Sequence, residues 1–278
     1  MTFEEDKIRA HWEQETCGTR YGVSGSRKKY FDEIENTRYR LEPYLPLFAN
    51  FSEAREKRLL EIGVGAGTDF CEWVKNGAIA TGIDLTNSAI DLTKEHLVTA
   101  NVKNNNYDLC VADAENLPFN CNEFDIVYAW GSLHHTPDTI GALREVYRVM
   151  KPGAKFRGLI YHSCSWSGWL IWFLHCFLKG KPLRSVKDAI YYHLESPGTK
   201  AYTIKEARGL LTKVGFEHIE LSTRLSPGDL LLIKPSQKYQ HPMFKIIWKL
   251  YPRWLVKVLG DKYGLSLLIE VKKPFSII

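Results

Sequence analysis

The sequence lacks the cysteine patterns of a metal site or of a disulfide framework. Its six cysteines form no CxxC pair and no metal-ligand spacing with histidine, so we expect reduced thiols and no bound metal. The N-terminal residues MTFEEDKIRA are acidic and polar, unlike a signal peptide. The most apolar stretch, residues 166–178, has thirteen residues, fewer than the roughly twenty that a transmembrane helix needs. These absences predict a cytoplasmic protein.

The chain also has little excess charge of either sign. Its 37 Lys and Arg residues against 32 Asp and Glu residues give a net charge of +5, which is too weak to predict a nucleic-acid partner. With 278 residues and 45% hydrophobic content, the chain can bury one large core or two small ones. The composition therefore argues for a folded chain and against disorder.

The rest of the sequence is organised around residues 59–85. A short apolar run leads into three glycines at every second position, Gly63, Gly65 and Gly67. Glycine permits the positive φ of a tight loop and the close approach of a ligand. Residues 68–75 then have helical spacing, and residues 78–83 form a second apolar run that ends at Asp84. The pattern predicts a strand–loop–helix–strand unit of a nucleotide-binding sheet, with a carboxylate positioned for ribose hydroxyls.

Three strings between residues 61 and 153 resemble one enzyme family. Glu61 opens the string EIGVGAG, whose glycines run GxGxG, whereas a dinucleotide fingerprint runs GxGxxG and would need a glycine at Thr68. The strings FDIVYAWGSLHH and LREVYRVMKPG follow at residues 124–135 and 143–153. Together they resemble the class I S-adenosylmethionine-dependent methyltransferases, particularly the quinone C-methylase-like (methyltransferase type 11) branch. The resemblance covers residues 59–162 closely and residues 203–221 loosely.

This resemblance implies S-adenosylmethionine as the cofactor and a set of residues that contact it. In the family, the glycine loop holds the methionine part, Glu61 would lie near its amino group, and Asp113 would accept a hydrogen bond from the adenine amino group. The implied cofactor-binding residues are Glu61, Gly63, Gly65, Gly67, Thr68, Asp84, Leu85, Asp113, Ala114, Glu115, Ala129 and Trp130.

The resemblance also implies an α/β fold. We expect a Rossmann-like, seven-stranded, mostly parallel sheet with an antiparallel last strand, helices on both faces, and N-terminal and late insertions that form a lid. The predicted divisions are a helical lid at 1–50, the cofactor-binding core at 51–162, an apolar insertion at 163–202, and completion of the core at 203–278 with a basic amphipathic insertion at about 223–264.

The predicted reaction is transfer of the cofactor's methyl group to a small, apolar or aromatic acceptor. Because charge is neutralised in the transition state, close and collinear reactants in a dry pocket supply most of the rate, and one general base or none suffices. His134 is the predicted base, since it directly follows the fourth strand and histidine titrates near neutral pH. His135, Tyr161 and His162 are the other candidates. A purely structural role for His134 is an equal alternative.

The apolar insertion is predicted to help bind the acceptor. Residues 166–178 contain three tryptophans at every third position and no charge, which favours a lid over an apolar pocket. The alternative is insertion into a membrane interface, where tryptophan is favoured. The predicted pocket residues are Trp12, Tyr21, Trp166 and Trp169.

A basic stripe marks the later insertion. Its cations fall every fourth residue, at Lys245, Lys249, Arg253 and Lys257. The first interpretation is a solvated face over a packed helix, and peripheral contact with an anionic membrane is the secondary one.

Other functions remain as alternatives. One is methylation of a lipid-like, thiol or metalloid acceptor at a membrane surface, and another is a non-catalytic S-adenosylmethionine-binding protein. A nicotinamide oxidoreductase would require GxGxxG and would not explain Asp113 followed by FDIVYAWGSLHH. None of the expected binding positions is degraded, which favours an enzyme with a small-molecule acceptor. The sequence names neither the acceptor atom nor the oligomeric state.

Overall fold

The structure is a computed structural model that describes residues 3–23, 25–102, 106–196, 198–233 and 248–275. The predicted basic stripe is thus described only in part, because Lys245 lies outside these residues.

One mixed sheet forms the centre of the fold. Its strands are β1 (Arg58–Ile62), β2 (Ile79–Asp84), β3 (Tyr107–Val111), β4 (Phe124–Trp130), β5 (Met150–His162), β6 (Ala201–Tyr202), β7 (Glu217–Arg224) and β8 (Ser266–Lys272). The spatial order is β3-β2-β1-β4-β5-β8-β7, and β6 pairs with β5. Strand β8 is antiparallel to both of its neighbours, while the remaining pairs are parallel.

The predicted fold class is confirmed with one small difference. The sheet has eight strands rather than seven, because two residues of the apolar insertion, Ala201 and Tyr202, pair with the end of β5. Strand β5 begins at Met150, directly after the helix Thr139–Val149. Gly153 has a φ of 78°, and the register between β4 and β5 shifts near this point, so the strand continues through an irregular turn.

Helices flank the sheet on both sides. They are α1 (Phe3–Gln14), α2 (Arg27–Leu41), α3 (Leu45–Ala49), α4 (Thr68–Lys75), α5 (Asn87–Thr99), α6 (Thr139–Val149), α7 (Trp166–Trp172), α8 (Val186–His193), α9 (Ile204–Val214) and α10 (Arg253–Leu259). A π-helical turn, Phe173–Phe177, extends α7. A capping box formed by Thr203 and Glu206 stabilises the start of α9.

Alternation along the strands produces two buried layers. Leu59 and Ile126 point into one cluster, with side chains of α3, α4 and α5. The neighbouring Leu60 and Val127 point into the other cluster, with side chains of α6 and α9. Because successive strand residues face opposite sides of a sheet, both faces need a helical cover.

A buried ion pair attaches the N-terminal helices to this core. Arg38 of α2 donates two hydrogen bonds to Asp69 of α4, at 3.0 and 2.6 Å. Tyr39 and Tyr128 donate further hydrogen bonds to the same carboxylate, at 3.2 and 2.9 Å. Asp69 is only 2% exposed, so the pair is stabilised by these added donors.

A second buried carboxylate, Asp229, connects the later insertions. It accepts hydrogen bonds from the backbone N and the hydroxyl of Ser167 and of Ser226, and from the backbone N of Leu265, at 2.7–2.9 Å. The start of α7, the loop after β7 and the residue before β8 therefore meet at one side chain. Within the described ranges no helix is long and apolar enough to cross a membrane.

Candidate active site

A cavity of about 310 Å³ lies at the carboxyl ends of the central parallel strands. This is the edge at which open α/β sheets bind ligands. Its walls come from the loops after β1, β2, β3 and β4, from α1 and α2, and from the insertions after β5 and β7. Strand ends that are far apart in the sequence therefore meet around one space.

The glycine loop after β1 forms one wall through Gly63 and Gly65, whose φ values are 85° and 52°. A Cβ atom on Gly63 would lie 2.6 Å from the Cβ of Ser132, and one on Gly65 would lie 3.2 Å from the carbonyl oxygen of Cys17. The loop therefore needs glycine for its conformation and for the close approach of two neighbouring segments. Gly67 and Thr68 start α4 and do not line the cavity.

Two carboxylates at strand ends face the same space. Asp84 accepts hydrogen bonds from the backbone N of Gly65 at 3.1 Å and from the hydroxyl of Thr86 at 2.9 Å. Asp113 accepts one from the backbone N of Glu115 at 2.9 Å. Both line the cavity, together with Leu85 and Ala114. The structure thus brings the predicted ribose and adenine residues to one wall, while Glu115 lies outside the lining.

Glu61 lies behind this wall and is 3% exposed. Its Oε2 atom has no hydrogen-bond partner among the described residues. Burial raises the pKa of Glu61 well above its ordinary value, and the nearby Asp69 adds to the effect. A buried carboxyl oxygen without a partner would be stabilised by a cationic group. This fits the amino group of the predicted cofactor, although Glu61 does not line the cavity itself.

The end of β4 contributes an aromatic wall. Trp130 lines the cavity, and its indole nitrogen donates a hydrogen bond to Glu42 of α2 at 3.2 Å. Arg38 and Glu42 also line the cavity, and neither was among the residues singled out from the sequence. Ala129, by contrast, is buried in the core and does not reach the cavity.

The predicted base His134 is fully buried and does not line the cavity. Neither ring nitrogen has a hydrogen-bond partner among the described residues, and burial lowers the pKa of the ring well below its ordinary value. Its ring packs against Tyr161, with centroids 4.1 Å apart. His162 is also buried and lies 3.2 Å from the carbonyl oxygen of Gly264. The burial of both histidines favours a packing role over a catalytic one, which for His134 was the stated alternative.

A polar group does line the cavity one residue further along. His135, Tyr161 and Glu195 all line the cavity. The Tyr161 hydroxyl donates a hydrogen bond to Glu195 Oε2 at 2.7 Å, and His135 Nε2 lies 3.6 Å from the same oxygen. On its other side, His135 Nδ1 lies 2.9 Å from the hydroxyl of Ser196.

Burial sets the protonation states of this group. The Glu195 side chain is 35% exposed, and its partial burial raises the pKa of Glu195 above its ordinary value against the opposing effect of the hydrogen bond from Tyr161. Burial lowers the pKa of His135 to about 3 and raises that of Tyr161 well above its ordinary value. Near neutral pH, His135 and Tyr161 are therefore uncharged, and Glu195 is the acidic member of these three residues.

The predicted aromatic pocket residues divide into two groups. Trp12 and Tyr21 of the N-terminal segment line the cavity, and Trp12 packs edge-on against His135 with ring centroids 5.2 Å apart. Trp166 and Trp169 do not line it, and Trp169 is 49% exposed. The N-terminal aromatics, rather than the tryptophans of α7, cover the site.

The comparison with known families agrees with this geometry. Residues 60–157 match the family model described as a methyltransferase domain. That range includes the glycine loop and the carboxyl ends of β1 to β4, which lie at the cavity. These residues form a domain of the class I S-adenosylmethionine-dependent methyltransferases. The family and the cofactor predicted from the sequence are thereby confirmed for this domain.

Two curated relatives and one solved structure show the range of the similarity. The chain is 30% identical to sterol 24-C-methyltransferase of Pneumocystis carinii over 214 residues, 72% of this chain and 52% of that protein. It is 33% identical to ubiquinone biosynthesis O-methyltransferase of Coxiella burnetii over 99 residues, 36% of this chain and 41% of that protein. The chain thus spans about half the length of the first relative and less of the second.

The solved structure is phosphoethanolamine N-methyltransferase 2 of Haemonchus contortus in complex with S-adenosyl-L-methionine. It has a TM-score of 0.57 and 22% sequence identity, and the match covers 84% of this chain and 52% of that one. At this identity the likeness establishes a shared fold.

Proposed function

We propose that this methyltransferase transfers a methyl group from S-adenosylmethionine to a small, substantially apolar acceptor. The observation that carries the proposal is the cavity itself. The glycine loop, Asp84 and Asp113 line it together with Trp12, Tyr21 and other apolar side chains. A cavity that combines cofactor-binding residues with apolar side chains can bring a sulfonium and an apolar acceptor together.

The residues that would hold the cofactor are those at the strand ends. Asp84 and Asp113 would bind the ribose and the adenine, and Glu61 would balance the charge of the amino group. When bound, the cofactor supplies an electrophilic methyl group next to a positive sulfur. The chain contributes position and exclusion of water, which are the main requirements of this displacement.

The polar group at the cavity would receive a proton where the acceptor carries one. Glu195 is the only one of the three that is acidic, and the Tyr161 hydroxyl directs its proton toward it at 2.7 Å. As the acceptor forms its bond to the methyl carbon, its proton would pass to the Glu195 carboxylate, and the sulfur would leave as a neutral thioether. His135, held by Ser196, would orient the acceptor rather than remove its proton.

The relatives support the acceptor class without specifying the acceptor. One is named for a sterol and the other for ubiquinone biosynthesis. Both names refer to small molecules with large apolar parts, as the lining of this cavity requires. Peripheral contact with a membrane, where such molecules partition, is part of the proposal.

The test combines cofactor binding with methyl transfer. Calorimetry should show saturable binding of S-adenosylmethionine and none of NADH, and Asp84→Ala should weaken the former. Methyl-labelled cofactor should then label at least one member of a panel of sterols, isoprenoid phenols and short aromatic alcohols. Lys213→Ala, an exposed change on α9, is the control. Normal cofactor affinity in Asp84→Ala, or transfer confined to water-soluble amines, would contradict the proposal.

A further inference from the structure

Two neighbouring segments of the surface expose an unusual share of apolar side chains. In the part of the chain that the structure describes, nineteen large hydrophobic residues are exposed, and twelve of them lie in residues 166–193 and 232–263. Scattered exposed hydrophobics are ordinary, but concentration in two segments indicates an interaction surface. Neither segment belongs to the closely matched part of the family resemblance.

In the first segment the exposed side chains form a stripe. Trp169, Phe173 and Phe177 are 49%, 41% and 51% exposed and recur every fourth residue along α7 and its π-helical turn. The rings of Phe173 and Phe177 stack, with centroids 5.4 Å apart. Leu174 and Cys176 on the opposite side are buried. The helix therefore has its packed face against the protein and presents a second apolar face to solvent.

The second segment repeats this spacing. Leu250, Trp254 and Val258 are 74%, 70% and 75% exposed and are again four residues apart. Trp254 and Val258 belong to α10, whose Val256 is buried, while Leu250 precedes this helix. We call the six side chains of the two stripes, Trp169, Phe173, Phe177, Leu250, Trp254 and Val258, the apolar face.

Both stripes are attached to the same part of the core. Trp166, at the start of α7, packs edge-on against Tyr263 at 6.0 Å between ring centroids. Asp229 accepts a hydrogen bond from the backbone N of Ser167, and its own carbonyl oxygen accepts one from the Tyr251 hydroxyl at 2.8 Å. The two segments thus meet at Trp166 and Tyr263 and around Asp229. Ser167, on the face of α7 opposite Trp169, lines the cavity, so α7 contacts the site with one face and solvent with the other.

Charge identifies what this surface fits. Residues 166–193 and 248–263 contain eight Lys and Arg residues against two carboxylates, Asp188 and Asp261, whereas the rest of the chain has 29 cations against 30 carboxylates. Lys179, Lys181, Lys249 and Lys257 are exposed beside the stripes. Aromatic side chains beside a local excess of cations match the interface of an anionic bilayer. A second copy fits poorly, because a two-fold contact would set the cations against one another.

We propose that the apolar face is a docking surface for an anionic lipid membrane, through which the apolar acceptor reaches the cavity. The proposal rests on the proposed function for the identity of the acceptor but not for the docking itself. Trp169 and Trp254 would enter the headgroup region, where indole rings are favoured, and the lysines would contact lipid phosphates. The stretch predicted from the sequence as a lid would then act at the membrane side of the site.

The experiment is co-sedimentation of the full chain with vesicles. The wild-type protein should bind vesicles of phosphatidylglycerol and phosphatidylcholine, should bind much less to pure phosphatidylcholine, and should lose binding in high salt, which screens the lysines. Phe173→Ser and Trp254→Ser should each weaken partitioning about ten-fold, the expected effect of losing one buried aromatic side chain. Val98→Ser, at a side chain that is 77% exposed on α5, should have no effect.

A charge series guards against misfolding of the aromatic variants. Lys179→Glu and Lys257→Glu should weaken binding to the anionic vesicles, whereas Lys213→Glu on α9 makes the same charge change and should not. Wild-type protein that stays in solution with anionic vesicles, or aromatic and charge variants that bind normally, would overturn the proposal. So would a dimer that Phe173→Ser converts to monomer in light scattering, because a second copy would then cover the face.

Cofactor calorimetry separates this proposal from the proposed function. Phe173→Ser and Lys257→Glu should bind S-adenosylmethionine with wild-type affinity, because neither residue lines the cavity. Vesicle binding by a protein that does not bind the cofactor would leave the docking surface intact and refute the enzyme. Cofactor binding without vesicle binding would refute the docking surface and leave the proposed enzyme intact.

Discussion

Replacing Gly63 by alanine should damage the cofactor wall by an amount that the structure allows us to work out. Gly63 has a φ of 85°, a conformation that costs an L-residue roughly 1–2 kcal/mol. The added Cβ would also lie 2.6 Å from the Cβ of Ser132, closer than carbon atoms pack. Ser132 cannot easily retreat, because its hydroxyl donates a 2.7 Å hydrogen bond to the carbonyl oxygen of Ile62.

The loop itself is also held in place. The backbone N atoms of Gly63 and Val64 both donate to the carbonyl oxygen of Ile83, at 2.8 and 3.1 Å. If the loop keeps its conformation, the free energy of unfolding should fall by at least the backbone cost, about 1–2 kcal/mol. If the loop moves instead, the cost appears as weaker cofactor binding, and the same energy corresponds to about a 5- to 30-fold rise in Kd.

The assay therefore measures both quantities on Gly63→Ala. Urea unfolding reports the free energy of unfolding, and calorimetry reports the Kd of S-adenosylmethionine. Gly180→Ala is the matched control, because Gly180 has a φ of 69° but nothing within 4 Å of an added Cβ, and it lies outside the cavity lining. The control should lose stability and keep its Kd. If Gly63→Ala matches the wild type in both measurements, the close-approach argument for this loop is refuted.

Three further predictions concern acid stability, catalysis and helix propensity. Burial raises the pKa of Glu53, but hydrogen bonds from Lys155 and Arg157 outweigh it and lower the pKa to about 2, from an ordinary value of 4.5. The lowered pKa contributes at most about 3 kcal/mol to the free energy of unfolding before solvent screening, and this contribution is present above the ordinary pKa and lost on acidification. Glu53→Gln should therefore destabilise the protein at pH 7 and less at pH 3, as measured by urea unfolding. Glu195→Gln should lower turnover and keep the Kd of S-adenosylmethionine. It should also remove the loss of activity expected of the wild type as pH falls through the raised pKa of Glu195, and an unchanged pH profile would mean that another group accepts the proton. Gly209 lies within α9, with open space around an added Cβ, so Gly209→Ala should raise the free energy of unfolding by about 0.5–1 kcal/mol. A lower free energy of unfolding would contradict the open space at this position.

The sequence was sufficient for the fold and for the family because these depend on local pattern. Alternating apolar runs determine which strand residues face each helical layer, and the glycine spacing determines the shape of the loop after β1. Asp84 and Asp113 meet because each follows a parallel strand, and parallel strands end at the same edge. None of this required knowledge of distant contacts.

The choice between two adjacent histidines could not be made in this way. His134 and His135 lie in one short 3₁₀ turn, and the structure buries the first while the second lines the cavity. Which of them faces the ligand depends on Tyr161 and Ser196, which belong to other parts of the chain. Glu195 could not be predicted as a site residue from the sequence, because its partner Tyr161 lies 34 residues away.

The apolar insertion shows a second limit. Tryptophans spaced three residues apart indicate a helix with an apolar stripe but not the direction in which that stripe points. The structure directs Trp169 outward because the other face of α7 carries Ser167 and Gly168, small residues that allow close packing against Asp229 and Ile190. The small residues, rather than the large ones, decided the orientation.

The shared attachment at Asp229 has a consequence for local unfolding. Its five hydrogen bonds hold the start of α7, the loop after β7 and the residue before β8 through one carboxylate. These segments should therefore open together, as one cooperative unit in native-state hydrogen exchange, while β1 to β4 stay protected. Under the proposed function, an acceptor site that opens as a unit could admit or release a bulky molecule without disturbing the cofactor wall. Such a division would also let the acceptor side change in evolution while the cofactor side stays the same.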